Sequence, residues 1–128
     1  MNYQTTPDWD RRARELTGGA GVDHVIELGG AGTLAKSLNC VRVGGHVAVI
    51  GILSGVSTPL GVIPILMNKV RVQGVLVGSR ADFEAMNRAI ALHQLRPVVD
   101  RVFPFAEARE AFAYQERGGF FGKICIQF

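Results

Sequence analysis

Residues 22–35 read Val22-Asp23-His24-Val25-Ile26-Glu27-Leu28-Gly29-Gly30-Ala31-Gly32-Thr33-Leu34-Ala35. An apolar run rich in β-branched side chains gives way to a glycine cluster, then to a stretch in which Leu34, Leu38 and Val41 recur at helical spacing. Short apolar runs bounded by turn residues favour strands, whereas apolar residues three or four apart favour helices. The segment therefore predicts a strand over residues 23–28, a tight turn, and a helix that stops at Gly44-Gly45. The next run, His46-Val47-Ala48-Val49-Ile50-Gly51-Ile52-Leu53, is almost unbroken in its apolarity. Such a run suits a strand over residues 46–53 that is covered on both faces, as in a parallel sheet.

Working outward, residues 6–17 are predicted helical. Thr6 serves as cap, Pro7 suits the first helical position, and Asp8 sits where the helix dipole favours negative charge. Trp9, Ala13 and Leu16 fall on one face, and Gly18-Gly19 ends the helix. Downstream, residues 54–61 read as a Gly/Ser/Pro loop, residues 62–69 as a short apolar helix and residues 71–77 as a strand. Ser79 and Asp82, three apart, resemble a capping box. The helix they open carries Phe83, Met86 and Ile90 on one face and ends near Leu95. Arg96-Pro97 breaks it, and residues 98–102 form a short strand. Phe105, Ala108 and Phe112 mark a last helix closed by Gly118-Gly119, and residues 123–127 a terminal strand. Strands alternating with helices predict an α/β fold with a mostly parallel sheet. The 128 residues fit a single domain.

Charge narrows the partners. The 14 basic and 11 acidic side chains, net +3, are spread without any block of one sign. Neither a nucleic-acid arm nor a polybasic membrane patch is expected. Cys40 and Cys125 have no Cys or His at ligand spacing, which argues against a disulfide framework or a zinc finger and for a reducing, cytoplasmic setting. No apolar stretch reaches the length of a membrane helix, and residues 1–20 lack the apolar core of a signal peptide.

Gly30-Ala31-Gly32-Thr33-Leu34-Ala35 matches G-x-G-x-x-A between a strand and a helix, the setting of a dinucleotide fingerprint. That fingerprint needs an acidic residue about 20 positions on, where this chain has Ile50, Gly51 and Ile52. A simple strand-to-helix turn is the competing reading. His24, His46 and His93 are scattered and read as surface or turn residues. Cys40 and Cys125 read as small core residues. Glu27, charged inside an apolar run, is either a sheet-edge residue or a polar anchor at the strand's carboxyl end. Three predicted strands end in glycine and a loop, and open parallel sheets bind ligands outside the carboxyl ends of their strands. Gly29-Gly30, Gly51-Ile52-Leu53 and Gly78-Ser79-Arg80 are thus expected to line one crevice.

Three segments carry a resemblance: residues 22–30; Arg42-Val43-Gly44-Gly45-His46-Val47-Ala48-Val49-Ile50-Gly51; and Val72-Gln73-Gly74-Val75-Leu76-Val77-Gly78-Ser79-Arg80. Together they resemble the medium-chain dehydrogenase/reductase family, which holds the zinc-type alcohol dehydrogenases and the quinone oxidoreductases. Residues 96–105, with Ala108 and Phe112, are similar to that family's return towards its catalytic domain, and Gly122-Lys123-Ile124-Cys125-Ile126 to its closing strand. The resemblance spans essentially the whole chain but only about the last third of a full enzyme. It implies a partial Rossmann-type, doubly wound domain without its first strands. The pyrophosphate-binding turn belongs to those earlier strands, so residues 30–35 become a later turn facing the nicotinamide half of the cofactor.

The resemblance also implies roles. Leu28, Gly29 and Gly30 would lie by the nicotinamide, with Gly51, Ile52 and Leu53 contacting its ring and ribose. Val75, Val77 and Gly78 would offer backbone groups to the carboxamide, flanked by Ser79 and Arg80. Lys123 would reach the pyrophosphate. The cofactor is NAD or NADP, and zinc belongs to parts of the enzyme outside these residues. Residues 71–77 would pair with a second copy, making a homodimer. The implied activity is hydride transfer between nicotinamide and an alcohol, carbonyl or quinone, with no turnover expected from this chain alone. The alternative is a truncated, non-catalytic module for dimerisation or dinucleotide binding.

Overall fold

The computed structural model describes all residues, 1–128, and forms two compact units, Met1–Val77 and Gly78–Phe128. In the first, α1 (Trp9–Leu16) precedes β1 (Val22–Glu27), a 3-10 turn (Gly30–Gly32), α2 (Leu34–Cys40), β2 (Val41–Val49), α3 (Ile63–Met67) and β3 (Arg71–Gly74). Its sheet is parallel throughout, in the order β1-β2-β3. Leu38 of α2, Val41 and Val47 of β2 and Val70 just before β3 form the core, with Val25, Leu34, Val49, Leu60 and Ile65 packed against it. The buried stripe of α2 and the apolar run of β2 thus meet as their periodicities require.

The second unit holds α4 (Arg80–His93), β4 (Val99–Pro104), a 3-10 turn (Phe105–Glu107), α5 (Ala108–Arg117) and β5 (Lys123–Gln127). β4 and β5 pair in parallel as a separate two-stranded sheet. Phe103 and Ala111 are buried here, and Arg101 lies 4.5 Å above the Phe103 ring. The α/β character and parallel pairing match expectation, and the strands fall into two sheets.

Several boundaries also differ, each for a physical reason. The first helix starts at Trp9: the Thr6 N–H returns to the Asn2 carbonyl (2.9 Å), so Thr6 and Pro7 belong to a preceding turn and Asp8 is the cap. Leu16 is exposed, and the buried residue of α1 is Asp10, with Asn39 donating to it at 3.4 Å. Val41 opens β2 with extended backbone instead of ending α2. Gly44-Gly45 lies inside that strand, where Gly44 (φ +71°) turns locally and its N–H meets the Asn68 carbonyl at 2.8 Å. The register jumps there, from Val22 opposite Val41 to His24 opposite His46. His46 is accordingly within the sheet, edge-on to His24 with ring centroids 5.8 Å apart.

β2 stops at Val49 and β3 at Gly74, short of residues 53 and 77. One further bond, from the Val75 N–H to the Val49 carbonyl (2.9 Å), ends the β3 edge before Val77 takes a left-handed φ of +42°. The α4 capping box forms as expected: the Asp82 N–H donates to Ser79 Oγ at 3.2 Å, and the Asp82 carboxylate accepts from the Ser79 N–H at 2.8 Å. That helix ends at His93 with Gln94 left-handed, and both Phe83 and Met86 are exposed. Phe105 sits in the 3-10 turn and Phe112 is exposed, so Ala111, not the phenylalanine pair, is the buried residue of α5. Cys40 is buried, Cys125 half-buried, and neither is paired.

Candidate functional site

Two of the three expected strand-end loops come together. At the carboxyl end of β1, Glu27 is only 3 % exposed. One carboxylate oxygen accepts from the N–H groups of Gly29 (2.7 Å) and Gly30 (2.9 Å) and from the Thr33 hydroxyl (2.5 Å), while the other accepts from the Ser37 hydroxyl. Burial works against the charged form, but the hydroxyls of Ser37 and Thr33 and the two amides outweigh it and hold this carboxyl below the usual glutamate range. Glu27 is therefore the polar anchor, even though β1 lies at the edge of its sheet.

The loop after β2 folds onto this turn. Ile50 and Gly51 donate their N–H groups to the Glu27 carbonyl (2.8 and 3.2 Å), Leu53 to Leu28 (3.1 Å) and Ser54 to Gly29 (2.7 Å). The Ser54 hydroxyl donates to the Gly29 carbonyl (2.7 Å) and accepts from the Gly32 N–H (3.1 Å). Closeness requires glycine at two points. A Cβ on Gly30 (φ +75°) would sit 2.7 Å from the Gly55 carbonyl oxygen, and one on Gly51 2.5 Å from that of Leu28.

In the G-x-G-x-x-A turn the amides of residues 29–33 are all engaged within the protein. Gly29 and Gly30 bond Glu27, Ala31 bonds the Gly55 carbonyl (3.0 Å), Gly32 bonds Ser54 and Thr33 bonds the Gly30 carbonyl (3.1 Å). The buried Glu27 carboxylate already takes the two glycine amides. The missing acidic residue downstream and these engaged amides both weigh against a dinucleotide fingerprint at this turn.

What remains is an open shelf of apolar side chains and backbone. Leu28 is 50 %, Ile52 60 % and Leu53 88 % exposed. Beside it, a cleft of about 280 Å³ is bounded by Gly30, Ala31, Leu34, Val49, Ile52, residues 55–58 and Leu60. Val75 and Val77 follow β3 in the same unit. Gly78, Ser79, Arg80 and Lys123 belong to the second unit. There Ser79 is engaged in its cap, Arg80 pairs with Glu84 at 2.9 Å, and the Lys123 N–H meets the Val98 carbonyl at 2.8 Å with the residue exposed. The residues that sequence reasoning passed over are Thr33, Ser37 and Ser54. The signal for two of them was present: hydroxyls four apart at the start of a helix, six and ten residues after an out-of-place glutamate.

The sequence model of the zinc-binding dehydrogenases matches residues 1–126. The chain belongs to that family. Within it, the chain is 35% identical to a zinc-type alcohol dehydrogenase-like protein of Schizosaccharomyces pombe, over 99% of its own length and 38% of the relative's. It is 32% identical to the 2-haloacrylate reductase of a Burkholderia species, over 98% of this chain and 40% of that protein. Among solved structures, a Sinorhizobium meliloti protein provisionally named an alcohol dehydrogenase superposes with a TM-score of 0.83 at 40% identity, over 94% of this chain and 35% of that one. An NAD-dependent alcohol dehydrogenase gives 0.78 at 30%, over 95% and 36%. The resemblance to medium-chain dehydrogenases/reductases read from the sequence is thereby borne out, and the chain spans about two fifths of its curated relatives. No three His, Cys, Asp or Glu side chains converge on one point, so nothing in this chain fits a zinc ion. No helix is long and apolar enough to cross a membrane.

Proposed function

We propose that this chain is the later, cofactor-domain part of an NAD(P)-dependent oxidoreductase that moves hydride between nicotinamide and an alcohol, carbonyl or quinone-like substrate. The observation that carries the reading is the lacing of two parallel strand ends into one exposed apolar shelf, the position at which open α/β sheets take ligands. The dinucleotide supplies the redox chemistry when bound, and the protein supplies orientation and electrostatics. On this reading Leu28, Ile52 and Leu53 give the ring and ribose an apolar bed. Gly29, Gly30 and Gly51 admit close approach. Val75, Val77 and Gly78 serve the carboxamide through their backbones, with Ser79 and Arg80 nearby, and Lys123 serves the pyrophosphate.

Residues 1–128 then form one domain, the late part of a Rossmann-type fold with a return segment from about residue 96. A cytoplasmic location and a homodimer through the β3 edge belong to the same proposal. A fluorescence titration of the purified chain with NADH and NADPH tests it. Saturable binding, weakened by Ile52→Asp and by Lys123→Ala, is the expected result. No binding up to about 1 mM, where affinity is worth only about 4 kcal/mol, would overturn it and favour a dimerisation module.

A further inference from the structure

Glu27 grips three segments at once. Its side chain accepts from Gly29, Gly30, Thr33 and Ser37, holding the turn after β1 to the start of α2. Its backbone carbonyl accepts from Ile50 and Gly51, holding the loop after β2. Leu28 and Ile52, the apolar bed of the shelf, are each next to a residue so held.

We propose that Glu27 is a positioning residue for the nicotinamide shelf, fixing Leu28 and Ile52 relative to one another without itself touching the ligand. The inference rests on the nicotinamide reading above. Its physical basis is the acceptor count. An ionised carboxylate offers four lone-pair sites and no proton, so it can satisfy four donors at once. A glutamine in its place presents one oxygen and an NH2 group, which would turn a donor towards the hydroxyls or the glycine amides. An aspartate keeps the charge but is one methylene short of spanning both the turn and Ser37. A simple space-filling role would not need the charge, because glutamine has the same shape.

The test compares the full chain with Glu27→Gln, Glu27→Asp and Ser37→Ala. Amide hydrogen exchange is followed residue by residue, and NADH affinity is measured at a temperature where each variant is folded. Expected for Glu27→Gln is exchange at least tenfold faster at residues 28–30 and 50–54, with α1 and β3 unmoved, and an NADH Kd at least fivefold higher. Glu27→Asp is expected to recover part of both. If Glu27→Gln does not fold, Ser37→Ala reads the same quantities with the carboxylate intact, and the same local loosening is expected. A uniform rise in exchange across the first unit with an unchanged Kd would assign Glu27 to the fold alone and overturn the proposal. Exchange unchanged at residues 28–30 and 50–54 would overturn it equally. If the unsubstituted chain itself fails to bind NADH, the nicotinamide reading falls and takes this role with it. Binding by that chain with an unmoved Kd in every variant removes only Glu27.

Discussion

At Glu27 the carboxylate is stable only because four donors meet it, and that dependence sets two expectations. Glu27→Ala leaves the Ser37 hydroxyl and the Gly30 amide buried without an acceptor and is expected to cost about 3 kcal/mol, at 1–3 kcal/mol for each stranded group, read from urea unfolding. The pH dependence follows from the lowered native value. Unfolding raises this carboxyl towards its ordinary 4.5, so the unfolded state binds the extra proton. Stability from Glu27 is therefore full above pH 4.5 and is lost as pH falls through the lower native value, and Glu27→Gln should flatten that acid limb. Glycines divide in the same way. Gly30→Ala combines a positive φ with a backbone collision 2.7 Å away and should destabilise by roughly 3 kcal/mol. Gly74 has open space at its Cβ position and no positive φ, so Gly74→Ala should be neutral or stabilising by up to about 1 kcal/mol. Both substitutions replace a glycine in a strand-end segment, and only the surroundings separate them.

Elements were legible wherever local chemistry alone sets them. The Ser79–Asp82 box opens α4 as its residues foretell, and Ser79→Ala should lower stability by about 1 kcal/mol, measured by thermal unfolding of the whole chain. Strand ends were less legible. Residues 50–53 have strand-like composition, but the amides of Ile50, Gly51 and Leu53 are captured by the Glu27 and Leu28 carbonyls, and that capture bends the chain off the sheet. Arg14 shows the same long reach. From α1 its guanidinium donates to the carbonyls of Asn39 (2.5 Å) and Val41 (3.2 Å), closing the end of α2. Val41 could therefore leave the helix for β2 without stranding a carbonyl, although its spacing from Leu34 and Leu38 reads as helical.

For the whole molecule, the family is settled by a match over residues 1–126, while the chain spans about two fifths of its curated relatives. The β3 edge carries an expectation at this scale. Exposed, flat strand edges pair with other chains unless a charge intervenes. On the homodimer proposal the chain should run as a dimer in light scattering after size exclusion, and Val72→Lys should shift it to monomer. An unchanged mass in the variant would remove β3 from the interface.

The amino-acid sequence determined the kinds of element, their order and the parallel pairing, because periods of 2 and 3.6 and glycine punctuation act within a few residues of themselves. It also carried the family, through short motifs in fixed order. Only the tertiary structure decided that Glu27 is a polar anchor, and that the amides of residues 29–33 are taken up from within. The structure likewise made Ser54, twenty-two residues from Gly32, part of the same turn. Those outcomes depend on donors and acceptors brought together from distant positions, and a hydrogen bond exists only once packing has brought both partners to the same place.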